Sequence, residues 1–212
     1  RSAVECREVP LLAVDADLKI TAVGEQTVVF DALSGTVYPG GQTTVEVPDA
    51  AGAAVQWPSA ATENVRIATA TALVEVPLGG GAPVIFEAPA GGSPAKPVWL
   101  AGCSYAVWSG SGAYLRDCIG DEFDESDTVS GLSEGGELRF RVNRDLVVVN
   151  DLDFGATWVI SQDMQLIDNW DDVVPPPDPN DGDEESQEQQ QSVTLPERNE
   201  ENRPPIAERD EY

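Results

Sequence analysis

Between about residues 18 and 160 the apolar residues of this chain fall in short runs rich in Val, Thr, Ala and aromatics. Each run is closed by a cluster of Gly, Pro, Ser or Asp. No stretch keeps a helical period for three turns, so the sequence asks for an all-β fold of short strands and tight turns. Four sets of strands are expected. The first is Leu18–Gly24, Thr27–Ala32, Thr36–Tyr38 and Thr43–Val47. The second is Ala54–Trp57, Asn64–Ala68, Ala72–Pro77 and Pro83–Glu87, with a turn at Gly79-Gly80-Gly81. The third is Pro97–Ala101 with the hairpin Cys103–Ser109 and Gly112–Cys118. The fourth is Glu137–Val142, Asp145–Asn150 and Ala156–Ile160, with a turn through Asp151–Gly155.

The sets read as copies of one unit. Thr27-Val-Val-Phe-Asp-Ala-Leu-Ser-Gly-Thr36 aligns with Ala72-Leu-Val-Glu-Val-Pro-Leu-Gly-Gly-Gly81 and with Asp145-Leu-Val-Val-Val-Asn-Asp-Leu-Asp-Phe-Gly155. A period of roughly 40 residues is the length of a four-stranded propeller blade. Short strands at regular spacing also fit an immunoglobulin-like sandwich, but the period favours a partial β-propeller of about four blade-like repeats. The chain opens at Arg1 without an initiator Met, and four blades are few for a ring. The expectation is therefore the C-terminal blades of a larger ring, with an exposed sheet face that makes the piece marginal alone.

The cysteines offer a covalent constraint, with two buried free thiols as the alternative to a disulfide. A two-residue loop at Gly110–Ser111 sets Cys103 directly opposite Cys118, and Gly at the first loop position suits a type II′ turn. Facing residues of antiparallel strands are within reach of a disulfide. Closing a loop of about 15 residues is worth roughly 3 kcal/mol in the chain-entropy account. A disulfide points to an oxidising compartment, hence to an extracellular location. The third cysteine, Cys6, has no partner that the sequence identifies.

Charge and chemistry exclude more than they assign. A net charge of −26 leaves no basic patch for nucleic acid or for an anionic membrane surface, and no apolar run is long enough to span a bilayer. The chain has no histidine, which removes His-dependent triads and His-bearing zinc sites. Gly131-Leu-Ser-Glu-Gly135 matches a nucleophile elbow in letters only, since no helix follows it and no base is at hand. Paired carboxylates at Asp121–Asp127, and at Asp151 with Asp153, read as solvated loops in so acidic a chain, with a calcium site as the lesser alternative. A glycosidase would need two of them at a fixed separation across a cleft. Asp178-Pro-Asn-Asp-Gly-Asp183 resembles a calcium loop without its closing Glu and flanking helices. No catalytic, cofactor or metal residues are assigned. The tryptophans Trp57, Trp99, Trp108 and Trp158 are more often core than ligand platforms when they lie on strands. Trp99 and Trp108 are the candidate glycan contacts.

Past Trp170 the composition turns acidic, Pro-rich and Gln-rich. Such a segment cannot bury enough surface to offset its chain entropy, so residues 169–201 are expected to be a disordered, extended linker. Asn202-Arg-Pro-Pro-Ile206 reads as the entry to a further domain over residues 202–212.

Several phrases, in shared order, carry a resemblance. They are Thr21-Ala-Val-Gly24, Val76-Pro-Leu-Gly-Gly-Gly-Ala-Pro-Val84, Gly102-Cys103, Arg116-Asp-Cys118, Phe140-Arg-Val-Asn143, Leu166-Ile-Asp-Asn-Trp-Asp-Asp172 and Asn202-Arg-Pro-Pro-Ile206. Together they resemble a group of very large actinobacterial surface proteins labelled as fibronectin type III or Ig-like (cadherin-like) tandem domain-containing proteins. The resemblance implies an N-terminal membrane anchor, then a propeller-like region, then a long tandem array. On that reading residues 1–168 are the later propeller blades. The expected role is a non-catalytic scaffold or interaction region on the cell surface. Its partners would be other domains of the same chain and a protein or cell-wall glycan, with no nucleic acid, no cofactor and no membrane contact within this stretch. The alternative is a carbohydrate-binding or polysaccharide-degrading module.

Overall fold

The computed structural model describes residue 13 and residues 15–167, apart from 41–42, 61–62, 121, 133–134 and 161–163. The expected linker 169–201, the domain entry 202–212, Cys6, Ser133 and the 178–183 loop lie outside the described residues.

The described chain is all-β, with no helix, and folds as four antiparallel sheets taken in sequence order. The first holds β1 (Leu18–Val23), β2 (Gln26–Asp31), β3 (Thr36–Pro39) and β4 (Val45–Glu46). The second holds β5 (Ala54–Val55), β6 (Asn64–Ala68), β7 (Ala72–Pro77) and β8 (Val84–Glu87). The third is built on β10 (Val98–Leu100), β11 (Cys103–Gly110), β12 (Ala113–Cys118) and β13 (Glu125–Thr128), with β9 (Gly92–Pro94) paired to the far end of β11. The fourth holds β14 (Leu138–Asn143), β15 (Leu146–Asp151), β16 (Thr157–Val159) and β17 (Gln165–Ile167). Each sheet is a meander in which consecutive strands pair, apart from β9, which pairs with β11. First strands begin at Leu18, Ala54, Val98 and Leu138, so the units are 36, 44 and 40 residues apart.

Local chemistry repeats with the strands. In the first, third and fourth sheets a two-residue turn joins the first strand to the second, closed by the pairs Val23↔Gln26, Leu100↔Cys103 and Asn143↔Leu146. Each turn needs positive φ, supplied by Gly24 (57°), by Ala101 (51°) with Gly102 (88°), and by Arg144 (55°). The next connection repeats too. The N–H of Gly35, Gly112 and Gly155 donates to the carbonyl of Asp31, Trp108 and Asp151, at 2.8, 3.0 and 2.9 Å.

These bonds revise two sequence expectations. The Cys103–Cys118 register holds from that pair through Val107↔Tyr114, but the hairpin is not closed by a two-residue turn. The Gly112 amide reaches past Ser109 to Trp108, while Ser109 and Gly110 pair with β9. The phrase Ala72–Gly81 is also one strand out of step with its proposed counterparts. It begins on the third strand of its sheet, whereas Thr27 and Leu146 lie on second strands. Alternating Val defines a strand but not its place in a meander. Three strands, β9, β13 and β17, were not expected. Glu125–Thr128, read as part of an acidic loop, is an edge strand whose side chains are mostly exposed.

Packing explains which runs are apolar on both faces. In the first sheet Val28, Phe30 and Val37 pack against Ile67, Val74 and Val76 of the second. The other face of the second sheet, with Ala68 and Leu73, packs on Ala106, Trp108 and Leu115 of the third. Tyr105, Val107 and Tyr114 on the third sheet's opposite face meet Phe140, Val147, Val149 and Trp158 of the fourth. Alternate residues of β7 and β11 therefore serve two cores. The first sheet buries one face and leaves Ile20, which pairs with Val29, 68% exposed. Full burial of each Val, Leu, Ile or Phe is worth about 1.5–3 kcal/mol, and these three cores hold the sheets in series. The disulfide Cys103–Cys118 joins the second and third strands of the third sheet, with its Cα atoms 4.0 Å apart.

Candidate ligand-binding groove

The first strands of neighbouring sheets lie side by side. Beyond β5 the chain stays extended, and Ser59 exchanges backbone bonds with β1: its N–H donates to Ala22 at 3.0 Å and its carbonyl accepts from Gly24 at 2.8 Å. Two residues earlier, the Trp57 N–H donates to the Pro97 carbonyl at 2.9 Å. Gln56 anchors this segment from behind, accepting the Arg66 N–H at 2.7 Å and donating to the Trp57 carbonyl.

A groove of ≈ 450 Å³ opens among these strands, within the size range of small-ligand sites. One wall is Trp57 to Ala60, the second is Val98 to Leu100, and the third is Phe140 to Val142 from the fourth sheet. Trp57 is 38% exposed, and the Lys96 ammonium sits over its ring at 5.0 Å from the centroid. Trp99 is half-buried, and its indole Nε1 has no acceptor among the described residues. The same holds for the Ser59 hydroxyl. Arg141 is exposed and makes no ion pair among the described residues, whereas Lys19, Arg66, Arg116 and Arg139 each do. Among the described residues no Asp, Glu, Asn or Gln side chain lines the groove, in a chain with 38 acidic and 12 basic residues. Its side chains offer flat apolar faces, hydrogen-bond donors and positive charge.

Behind Trp99 lies a second hollow, between the second and third sheets, with a buried ionic floor. The Arg66 guanidinium pairs with Glu75 at 2.5 Å, donates to Ser104 Oγ at 2.6 Å and to the Asn64 carbonyl at 3.0 Å, and lies 6.0 Å from the Trp99 ring centroid. Burial lowers the Arg66 pKa, and the Glu75 charge opposes the shift; the guanidinium stays ionised. The network thus sets a cation beside the indole that the two hollows share.

The candidate glycan contacts separate. Trp99 is in the groove wall. Trp108 is fully buried, and its Nε1 donates to the Thr69 carbonyl at 2.7 Å, so it offers no surface to a ligand. The ring fills the core between the second and third sheets, which is the commoner fate of a strand tryptophan. Sequence reasoning passed over Trp57 and Arg141 as a pair, because 84 residues and two sheets separate them along the chain. The available signal was a pair of alternating arginines, Arg139 and Arg141, in a strand of an acidic chain. Among the described residues no group of three acidic side chains converges on a cation site. Asp124 instead accepts the Cys118 N–H at 2.7 Å. Comparison with protein-family models, with curated proteins and with solved structures finds no match for this chain.

Proposed function

We propose that this chain is a non-catalytic extracellular interaction region: successive blades of a β-propeller that present a ligand groove at their common axis. On this reading it is one part of a large multidomain surface scaffold. Four meanders in series, packed face to face with their first strands adjacent, support the propeller geometry. The Cys103–Cys118 disulfide supports an oxidising location.

The observation that carries the interaction role is the groove built from first strands, with aromatic faces and donors but no carboxylate among the described residues of its lining. The runner-up reading, polysaccharide degradation, requires two carboxyl groups flanking the scissile bond, and the described residues of the groove lining offer neither. The deciding experiment incubates the purified chain with a panel of polysaccharides and follows released reducing ends. No release above buffer is expected. Turnover that co-purifies with the chain and disappears in Arg141→Gln overturns the non-catalytic reading.

A further inference from the structure

The ligand class can be narrowed from the chemistry of the walls, resting on the reading of this chain as an interaction region. The geometry points to an acidic saccharide, a pyranose chain bearing carboxylates, as the occupant of the groove between Trp57, Trp99 and Arg141. Three observations converge. Trp57 and Trp99 stand on walls from different sheets and bring two indoles to one groove; the apolar C–H face of a pyranose packs on such a ring, as other flat apolar groups do.

The side-chain hydrogen-bonding groups are strongly biased towards donation. The guanidinium and the indole N–H donate only, and the Ser59 hydroxyl both donates and accepts. Such a lining selects a ligand rich in acceptors, and hydroxyl, ether and carboxylate oxygens supply them. A peptide also brings backbone N–H donors, for which these walls provide no side-chain amide or carboxylate. Trp99 Nε1 and Ser59 Oγ are buried without partners among the described residues. An unmade hydrogen bond of this kind is costly; both atoms are covered, so a bound hydroxyl reaches them only if the side chain turns.

Charge completes the selection. Arg141 lines the groove and Lys96 caps Trp57, so positive charge concentrates here on a chain that is otherwise strongly negative. A guanidinium binds a carboxylate in a two-point fork, which fixes the orientation of the sugar as well as its charge. The charge of the whole chain opposes long anionic polymers at low salt, so short oligouronates should bind better than high polymer.

The test is titration of the full chain with oligogalacturonate and with the same oligosaccharide carboxyl-reduced to its neutral form, read by tryptophan fluorescence and calorimetry. The wild-type chain should bind the acidic form at least about tenfold more tightly than the neutral one, a difference of about 1.4 kcal/mol. Arg141→Gln should erase that preference while keeping the residual neutral affinity. Trp57→Ala should weaken both forms. Lys19→Gln, which removes a cation outside the groove lining, should change neither. Both groove positions are exposed, so each variant is first checked for an unchanged melting temperature. Equal affinity for the two sugars, binding untouched by Trp57→Ala and Arg141→Gln, or preference for an acidic peptide over every sugar each overturns the saccharide assignment. Those results leave the non-catalytic reading standing. Release of reducing ends sinks that reading instead, whichever sugar is bound.

Discussion

Arg66 and Glu75 are the most informative pair to perturb. Their side chains are 6% and 12% exposed, and removing one member of so buried an ion pair typically costs 3–5 kcal/mol because the other charge is left without compensation. In Glu75→Gln, however, Arg66 keeps Ser104 Oγ, the Asn64 carbonyl and the nearby Asp117 charge. The expected loss therefore sits at or just below the low end, about 2–3 kcal/mol. Arg66→Met leaves Glu75 with only Asn64 Nδ2 and a long contact from Ser104, and should cost at least as much. The double variant Arg66→Met/Glu75→Gln removes both charges and should lose less than the sum of the two singles by about 1.5 kcal/mol or more. Urea unfolding with an unchanged m-value is the assay. In a domain of this size, 2–3 kcal/mol corresponds to roughly 4–12 °C in melting temperature. Additive single losses, or a Glu75→Gln loss below about 0.5 kcal/mol, would show that the pair behaves as an exposed one.

Three further outcomes follow from features of the sheets. Cys103→Ser/Cys118→Ser should lower stability by about 2–3 kcal/mol, matched by reduction of the wild-type chain, and calorimetry with and without reductant reads both. Gly112→Ala should cost roughly 1–3 kcal/mol, because its φ is 70° and an added Cβ would lie 2.6 Å from the Val129 carbonyl oxygen; Gly131→Ala, also at positive φ but with open space, should cost less. Asp31 is subject to burial, which raises its pKa, yet bonds from the Ser34 hydroxyl and the Leu33, Ser34 and Asp17 amides prevail and hold it below its ordinary value of 3.8. Its contribution is therefore complete above that value and is lost as pH falls through the folded pKa. Acid titration of Asp31→Asn should show a shallower decline over that window than the wild-type chain.

Much of the strand layout was legible because strands in a meander carry their own signals. Val and Thr alternate, Gly stands where φ must be positive, and the 103–118 spacing fixed a register that the ladder keeps as far as Val107↔Tyr114. What escaped was structure without a local signature. Gly92–Pro94 pairs because β11 runs on past β10 and leaves that edge open, and Glu125–Thr128 is a polar edge held by its neighbour. The misaligned copy, Ala72–Gly81, shows the same limit: a strand buried on both faces reads alike wherever it stands in its sheet. The groove was half legible. Trp99 stood out by type, but which of four tryptophans keeps a free face depends on which side of each sheet meets the next, and that is settled by packing between sheets.

The three cores each join a sheet to the next one along the chain. Cooperativity in such a serial arrangement spreads from neighbour to neighbour rather than through one common centre. Amide exchange should then be slowest on β7 and β11, which are clamped from both sides, and fastest on β17 at the outer edge of the last unit. Loss of an end unit costs one interface, whereas opening a middle one breaks two, so local melting should begin at the ends and leave the disulfide-bearing unit among the last to let go.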